Sequence, residues 1–283
     1  MASKKVIVVF GATGNQGGSV ARAILEDKNI CVRVATRDVT KPAAVALQDL
    51  GAEVVKCDLN SKEDVNGILK GAYGAFLVTN FWEGYSKEKE VKQVGNGTID
   101  AVTSSLSSVY SVRTLMGRGS GGVFCPIGVP MTSVRLSAYF ENFLTLWKPV
   151  KASDGDYYNL ILPMKDIPLD GISVADIGPA VASIFRSPEE FLGKAVGLSA
   201  EALTVQQYAD ILSKTLGKVV KDSKITPEAY EKLGFPGAKE MADMMRFYHM
   251  RPDRDVQLTH KLNPKVKSFS QFVSENKGVF TDL

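Results

Sequence analysis

The chain is poor in the residues that build metal centres and disulfide frameworks. Its 283 residues include two histidines, His249 and His260, and three cysteines, Cys31, Cys57 and Cys125, all far apart. With no close Cys/His cluster, a bound metal is not expected. Net charge is small too: 34 Lys and Arg against 31 Asp and Glu leave +3. That balance, mixed along the chain, gives no electrostatic footprint for nucleic acid. No apolar run is long enough to span a bilayer, and Met1-Ala-Ser-Lys-Lys5 has no signal-peptide pattern. The expectation is a protein with reduced thiols in the cytoplasm, or also in the nucleus, with no membrane partner. The 45% hydrophobic and 23% charged content is ordinary for a globular chain. The length suits one large α/β domain, or one plus a small lobe, with a sizeable core.

The most informative segment is near the N-terminus. Lys5-Val-Ile-Val-Val-Phe10 is an apolar strand, Gly11-Ala-Thr-Gly14-Asn-Gln-Gly17-Gly18 is a glycine-rich turn, and Ser19-Val-Ala-Arg-Ala-Ile-Leu-Glu26 reads as a helix. This is the geometry that holds a pyrophosphate, because N–H groups and the macrodipole at a helix start favour negative charge. Gly11 can take a tight turn, Gly14 lets the backbone approach phosphates, and Gly17 lets helix and strand pack closely. A glycine triplet alone would be weak; the flanking strand and helix supply the context.

Alternation continues downstream. Strands are expected at Ile7–Phe10, Cys31–Thr36, Glu53–Cys57 and Tyr73–Thr79, with apolar helix stripes at Val20, Ala21, Ile24 and Leu25, at Ala43, Ala46, Leu47 and Leu50, and at Val65, Ile68 and Leu69. Near-continuous apolar strands imply a parallel sheet covered on both faces. Right-handed crossovers then give strand order 3-2-1-4, with a ligand crevice between strands one and four. The fold class is therefore α/β, a Rossmann-like doubly wound parallel sheet. The expected domains are a dinucleotide-binding one over 1–150, irregular at 94–127, and a smaller, mostly helical lobe over 151–283. From Val94 to Cys125 the text turns rich in Gly, Ser and Thr. Val109–Val112 is the one candidate for a short fifth strand there, and no amphipathic helix can be drawn after it. Losing that strand would leave a gap before the strand Met131–Leu136. Further on, Ser173-Val-Ala-Asp176, Thr204-Val-Gln-Gln207, Thr226-Pro227 and Ser268-Phe-Ser-Gln271 read as helix starts, and Gly217 and Gly278 as helix stops.

The end of strand two bears on the nucleotide. A carboxylate there suits the ribose hydroxyls of NAD, whereas an arginine suits the 2′-phosphate of NADP. Arg37, Asp38 and Lys41 place two cations beside one anion, which favours NADP(H). Asp58 and Leu59 end strand three and would flank the adenine. Thr79, Asn80 and Phe81 end strand four, on the nicotinamide ribose side.

The G-x-x-G-x-x-G spacing is that of short-chain dehydrogenase/reductase relatives. Active members use Tyr-x-x-x-Lys, in which the lysine lowers the tyrosine's pKa for proton exchange during hydride transfer. Only Tyr85 has a lysine four residues on, Lys89, and that pair lies far upstream of the helix that should carry it. No catalytic residue is assigned. The binding half of an oxidoreductase is written in the chain and the chemical half is not.

Longer strings carry a resemblance. Val8-Val-Phe-Gly-Ala-Thr-Gly-Asn-Gln-Gly-Gly-Ser-Val-Ala21, Val78-Thr-Asn80, Glu90-Val-Lys-Gln93, Gly128-Val-Pro-Met-Thr-Ser-Val-Arg135, Tyr139-Phe-Glu-Asn142, Thr226 to Ala238 and Arg251-Pro-Asp-Arg254 resemble the NmrA-like family of atypical short-chain dehydrogenase/reductases. The resemblance covers nearly everything outside Val94–Cys125. It implies a Rossmann domain that binds NADP(H), no working Tyr/Lys pair, and use as a redox sensor that regulates transcription or signalling through protein partners, with cofactor-dependent oligomers such as a homodimer. Carried over, Gly11, Ala12, Thr13, Gly14, Asn15 and Gln16 would hold the pyrophosphate, and Arg37 and Lys41 the 2′-phosphate. Asp58 and Leu59 would meet the adenine side, and Thr79, Asn80, Phe81 and Lys92 the ribose and nicotinamide side. Tyr139, Phe140, Glu141 and Asn142 would close the pocket. In the Val94–Cys125 stretch no residue can be carried onto a further cofactor-contacting lysine of the family. Two other readings stand beside this one: an NADPH-dependent reductase, for example of a quinone, and a scaffold that no longer binds nucleotide.

Overall fold

The computed structural model describes residues 4–78, 108–113 (main chain only), 131–251, 253–281 and 283. The chain divides into two compact units, Met1–Arg135 with Ala175–Val196, and Leu136–Val174 with Gly197–Leu283. In chain order the elements are β1 (Lys5–Val9), α1 (Asn15–Leu25), β2 (Ile30–Thr36), α2 (Pro42–Asp49), β3 (Glu53–Lys56), α3 (Lys62–Leu69), β4 (Gly74–Val78), β5 (Ser108–Arg113) and β6 (Met131–Leu136). Then follow β7 (Ala138–Tyr139), β8 (Val150–Lys151), β9 (Tyr158–Leu160), β10 (Leu169–Ile172), α4 (Val174–Arg186), α5 (Pro188–Phe191), β11 (Ala195–Leu198) and β12 (Glu201–Leu203). The chain closes with α6 (Val205–Leu216), β13 (Val220–Asp222), α7 (Pro227–Glu231), α8 (Ala238–His249), α9 (Val256–Leu262) and α10 (Phe269–Glu275).

The main sheet has the order β11-β6-β5-β4-β1-β2-β3, and every pair from β3 through β6 is parallel. The expected 3-2-1-4 order is present and extends beyond strand four. Successive residues of a strand face opposite sides. On one side Val8, Ala35, Ala75 and Leu77 pack with Val65, Ile68 and Leu69 of α3, and Phe10 and Cys57 join the same cluster. Residues of the alternate set, Ile7, Val9, Val32, Val34 and Phe76, are also buried, as are Val20, Ala21 and Ile24 of α1. A strand buried on both faces has no polar positions to alternate, so its sequence is continuously apolar.

One expectation is corrected here. The gap considered for the loss of strand five does not arise: the candidate Val109–Val112 lies within β5, which pairs Gly74–Val78 with Ser108–Val112 on one side and Val109–Arg113 with Met131–Arg135 on the other. The unpaired backbone groups that a gap would leave are thereby satisfied. Val109, Tyr110 and Val112 are ordinary strand formers. The surrounding Gly/Ser text obscured only the strand's bounds, Ser108–Arg113.

The second unit is built on two small sheets, β12-β10-β7 and β13-β9-β8, and on its helices. Strands this short carry no readable alternation, so the sequence shows the helices and hides the sheets. Its centre is aromatic: the Phe143 ring lies 4.8 Å from Tyr208 and 4.6 Å from Phe269, and Phe140 lies 5.2 Å from Phe269. The Tyr208 hydroxyl donates to the Leu169 carbonyl at 3.1 Å, which satisfies the polar atom of that ring. Thr204 and Ser268 form full capping boxes with Gln207 and Gln271. Thr226 caps α7 with Pro227 in its first turn, and α6 stops at Gly217 with φ of 69°. Gly278 is not the stop expected of it. Helix α10 ends at Glu275, where the Asn276 side-chain amide donates to the Phe272 carbonyl at 2.8 Å. Gly278 sits inside the short 3-10 turn Lys277–Phe280 that follows.

Candidate functional site

The turn after β1 is tightly defined. The Phe10 amide donates to Phe76 O at 2.9 Å, holding the strand end against β4. Gly11 then takes φ of 66°, a backbone that favours glycine, and a Cβ there would lie 2.5 Å from Val78 Cγ1. The chain turns back at once, with the Gly14 amide donating to Gly11 O at 3.0 Å. Gly17 presses the first turn of α1 onto this loop, since a Cβ would sit 2.3 Å from the Gly11 carbonyl oxygen. Ala12 is buried beneath the turn, whereas Gly14 and Asn15 are exposed.

Helix α1 starts without help from any side chain. Its N-cap is Gly14, there is no side-chain cap bond, and the first turn holds no acidic residue. By contrast α3 starts on Ser61, whose hydroxyl accepts from the Asp64 amide, and carries Glu63 and Asp64 in its first turn. The positive end of α1 thus carries neither a side-chain cap nor a first-turn carboxylate of its own.

Two further loops leave the carboxyl ends of β2 and β3, at the same edge of the parallel sheet. Arg37, Asp38 and Lys41 are exposed after β2. The Asp38 carboxylate is engaged: Oδ1 accepts from the Thr40 hydroxyl at 2.6 Å and from the Thr40 amide at 2.9 Å. These bonds, the hydroxyl first, hold its pKa below the ordinary carboxylate value. Thr36 braces the loop, donating to the Asp38 carbonyl at 3.0 Å. After β3, Asp58 Oδ1 accepts from the amide and side chain of Asn60 at 2.9 and 2.8 Å, and the Asp58 amide donates to Asp64 Oδ2 at 2.9 Å. Leu59 packs against the Val8 cluster. The cysteine beside this loop, Cys57, is buried, and desolvation pushes its thiol up to about 12, so it is unreactive at neutral pH.

The structure thus brings Gly11 to Gln16, Arg37, Lys41, Asp58 and Leu59 to one edge of the first unit. Thr79, Asn80, Phe81 and Lys92 lie outside the described residues. Tyr139, Phe140, Glu141 and Asn142 belong to the second unit. There the Phe140 ring is fully buried in the aromatic cluster. Glu141 accepts from the Ser173 hydroxyl at 2.7 Å and from the Val174 amide at 3.0 Å. The side chains of Phe140 and Glu141 are accordingly committed to packing and to the start of a helix. Tyr139 and Asn142 are half-buried. Among the described residues no group of His, Cys, Asp and Glu could hold a metal ion, and no helix is long and apolar enough to cross a membrane. Sequence reasoning missed Thr40 and Asn60. Each stands two residues after an aspartate, the spacing of an Asx turn, which could have revealed them.

A parallel sheet whose first strand runs through a glycine turn into an uncapped helix is the architecture of a Rossmann-type dinucleotide-binding domain. The NmrA-like family model matches residues 3–105 and 126–272, and the chain belongs to that family. The interval left unmatched contains β5, which takes its place in the sheet all the same. An NmrA-like family domain-containing protein of Dictyostelium discoideum is 32% identical over 255 residues, covering 81% of this chain and 83% of the relative. NmrA-like family domain-containing protein 1 of Rattus norvegicus is 26% identical, covering 99% and 100%. The oxidoreductase cpsB of Aspergillus campestris is 27% identical, covering 88% and 83%. Among solved structures, NmrA, a negative transcriptional regulator in complex with NADP, superposes with a TM-score of 0.79 at 21% identity, covering 97% of this chain and 95% of that one. The NADPH-dependent quinone oxidoreductase QOR2 of Escherichia coli has a TM-score of 0.78 at 22% identity, covering 96% and 99%. These two likenesses concern the fold.

Proposed function

We propose that the chain is a non-catalytic, NADP(H)-binding regulatory protein that reports cofactor occupancy to protein partners. One observation carries the reading: the acid-free start of α1 shares a sheet edge with Arg37 and Lys41, while the neighbouring carboxylate of Asp38 is bonded to Thr40. The first-turn N–H groups of α1, with Thr13 to Gln16 around them, would hold the diphosphate. Arg37 and Lys41 would meet the 2′-phosphate, where charge-assisted bonds are strong. Asp38, the group suited to ribose hydroxyls, is drawn into its own loop, which supports the phosphorylated cofactor over NAD. Bound there, the cofactor supplies a hydride donor or acceptor at its nicotinamide ring.

A regulatory role is supported by the tyrosines. The only one with a lysine four residues on is Tyr85. That pair, Tyr85 with Lys89, lies far upstream of the helix that should carry it. The mechanism would be population shift: the cofactor stabilises one conformational or oligomeric state, a homodimer included, and a partner reads the difference. The second reading, an NADPH-dependent reductase, is favoured by the oxidoreductases among the relatives and fold neighbours. A quinone accepts hydride directly and needs no Tyr/Lys pair.

Fluorescence titration of the purified chain with NADPH and NADH tests the proposal. Saturable binding is expected, tighter for NADPH, and Arg37→Ala should weaken NADPH roughly tenfold or more while leaving NADH nearly unchanged. Absence of binding would leave the degenerate-scaffold reading. NADPH oxidation by a quinone, lost in Arg37→Ala, would make the protein a reductase.

A further inference from the structure

Two threonines take up the amide, the carbonyl and the carboxylate of Asp38, the residue after Arg37. The Thr36 hydroxyl accepts from the Asp38 amide at 3.2 Å and donates to the Asp38 carbonyl at 3.0 Å. Thr40 holds the carboxylate through its hydroxyl and its amide. The base of this arrangement is fixed. Thr36 is the last residue of β2 and is buried, and its carbonyl accepts from the Cys57 amide at 2.8 Å. Arg37, Asp38, Val39 and Thr40 are exposed. A hydroxyl bonded to the amide two residues on mimics a backbone turn and closes a ring across the residue between them. Here that residue is Arg37, so the ring sets the direction in which its Cα–Cβ bond leaves the sheet edge.

We infer that Thr36 is a positioning residue that sets the preference for a 2′-phosphorylated dinucleotide: its hydroxyl holds the main chain of Arg37, so the guanidinium meets the phosphate already oriented. The inference rests on the reading of Arg37 as the 2′-phosphate ligand. Removing the hydroxyl strands no buried group, because Asp38 is exposed and water can bond its amide and carbonyl. What is lost is the ring. Arg37 must then be ordered at the moment of binding, and ordering a loop and a long side chain on binding weakens affinity. Only the nucleotide with a 2′-phosphate uses Arg37, so the loss falls on NADPH and spares NADH.

The test is a fluorescence titration with NADPH and NADH of wild type, Thr36→Val, Thr36→Ser, Arg37→Ala and the double variant Thr36→Val/Arg37→Ala, each with a melting curve. Thr36→Val keeps the branching of threonine and removes the hydroxyl. It should bind NADPH roughly fivefold more weakly, and NADH within about twofold of wild type. Thr36→Ser retains the hydroxyl and should keep the wild-type ratio of the two affinities; a loss equal to that of Thr36→Val overturns the inference. On the Arg37→Ala background Thr36→Val should change nothing further, because it acts through that arginine. A folded Thr36→Val that binds NADPH like wild type overturns the inference. So does a loss shared equally by the two nucleotides, or one that persists without Arg37, since either marks a structural role alone. Should Thr36→Val fail to fold, amide hydrogen exchange on wild type decides: NADPH should slow exchange at Asp38 more than NADH does, and equal slowing overturns the inference. Wild type is titrated first. If it binds neither nucleotide, the proposed function fails and takes this inference with it. If it binds NADPH more tightly and Thr36→Val keeps that preference, the inference falls alone.

Discussion

Two helix starts in this molecule are built on opposite plans. Helix α6 begins with a complete capping box, the Thr204 hydroxyl accepting from the Gln207 amide at 3.2 Å and the Gln207 side chain accepting from the Thr204 amide at 2.8 Å. Helix α1 begins on glycine with no cap and no acid. Both starts carry the same orphan N–H groups and the same partial positive charge. The first spends them within the protein, for stability. The second has no such cap, and the loop beside it adds Arg37 and Lys41, with the Asp38 carboxylate engaged by Thr40. A glycine start in place of a side-chain cap costs folding roughly a few tenths of a kcal/mol, and it makes sense where a ligand completes it.

Making α1 resemble α6 should break the contrast, with the largest effect. Gly14→Asp supplies a cap at a position with extended backbone, φ of −94° and ψ of 173°. The melting temperature should change by only about 2 °C in either direction. NADPH affinity should fall by about 100-fold or more, because the carboxylate occupies the anion's place. Titration and melting of the same sample read both. The converse change sharpens the contrast. Thr204→Ala removes the α6 cap and should cost about 1 kcal/mol, a fall of roughly 2–4 °C in melting temperature, with NADPH affinity unchanged. The smallest effect concerns the loop after β2. Because Thr40 holds the folded-state pKa of Asp38 below the ordinary value of 3.8, the loop's contribution is complete above pH 3.8 and is lost as pH falls through the lower folded value. Carboxyl chemical shifts followed across acid pH should show Asp38 titrating below 3.8, and Thr40→Ala should bring it back up.

The same contrast marks what the sequence could show. Local chemistry was legible: the glycine turn, the caps at Thr204, Thr226 and Ser268, and the apolar strands that set the order 3-2-1-4. The candidate cation pair Arg37 and Lys41 was readable because strand two ends there. Features fixed by distant partners were hidden. Strand β5 was a candidate at Val109–Val112, but its extent and its place in the sheet are specified by its pairing with β4 and β6, not by its Ser-rich surroundings. The burial of Phe140 follows from Phe269 and Phe272, more than a hundred residues away. The Ser19 hydroxyl donates to the Ala175 carbonyl and accepts from the Gly178 amide, partners that the serine does not announce alone. Helix α10 ended early because Asn276 could close it with its own side chain.

The central claim is that the open start of α1 and the basic loop after β2 together accept a 2′-phosphorylated dinucleotide. The most direct measurement is the melting temperature of the purified chain with NADPH and, at equal concentration, with NADH. At a hundredfold excess over its dissociation constant NADPH should stabilise the fold by about 2.7 kcal/mol, a rise of several degrees, and NADH by clearly less. A cooperative melting curve that neither nucleotide moves would contradict the account.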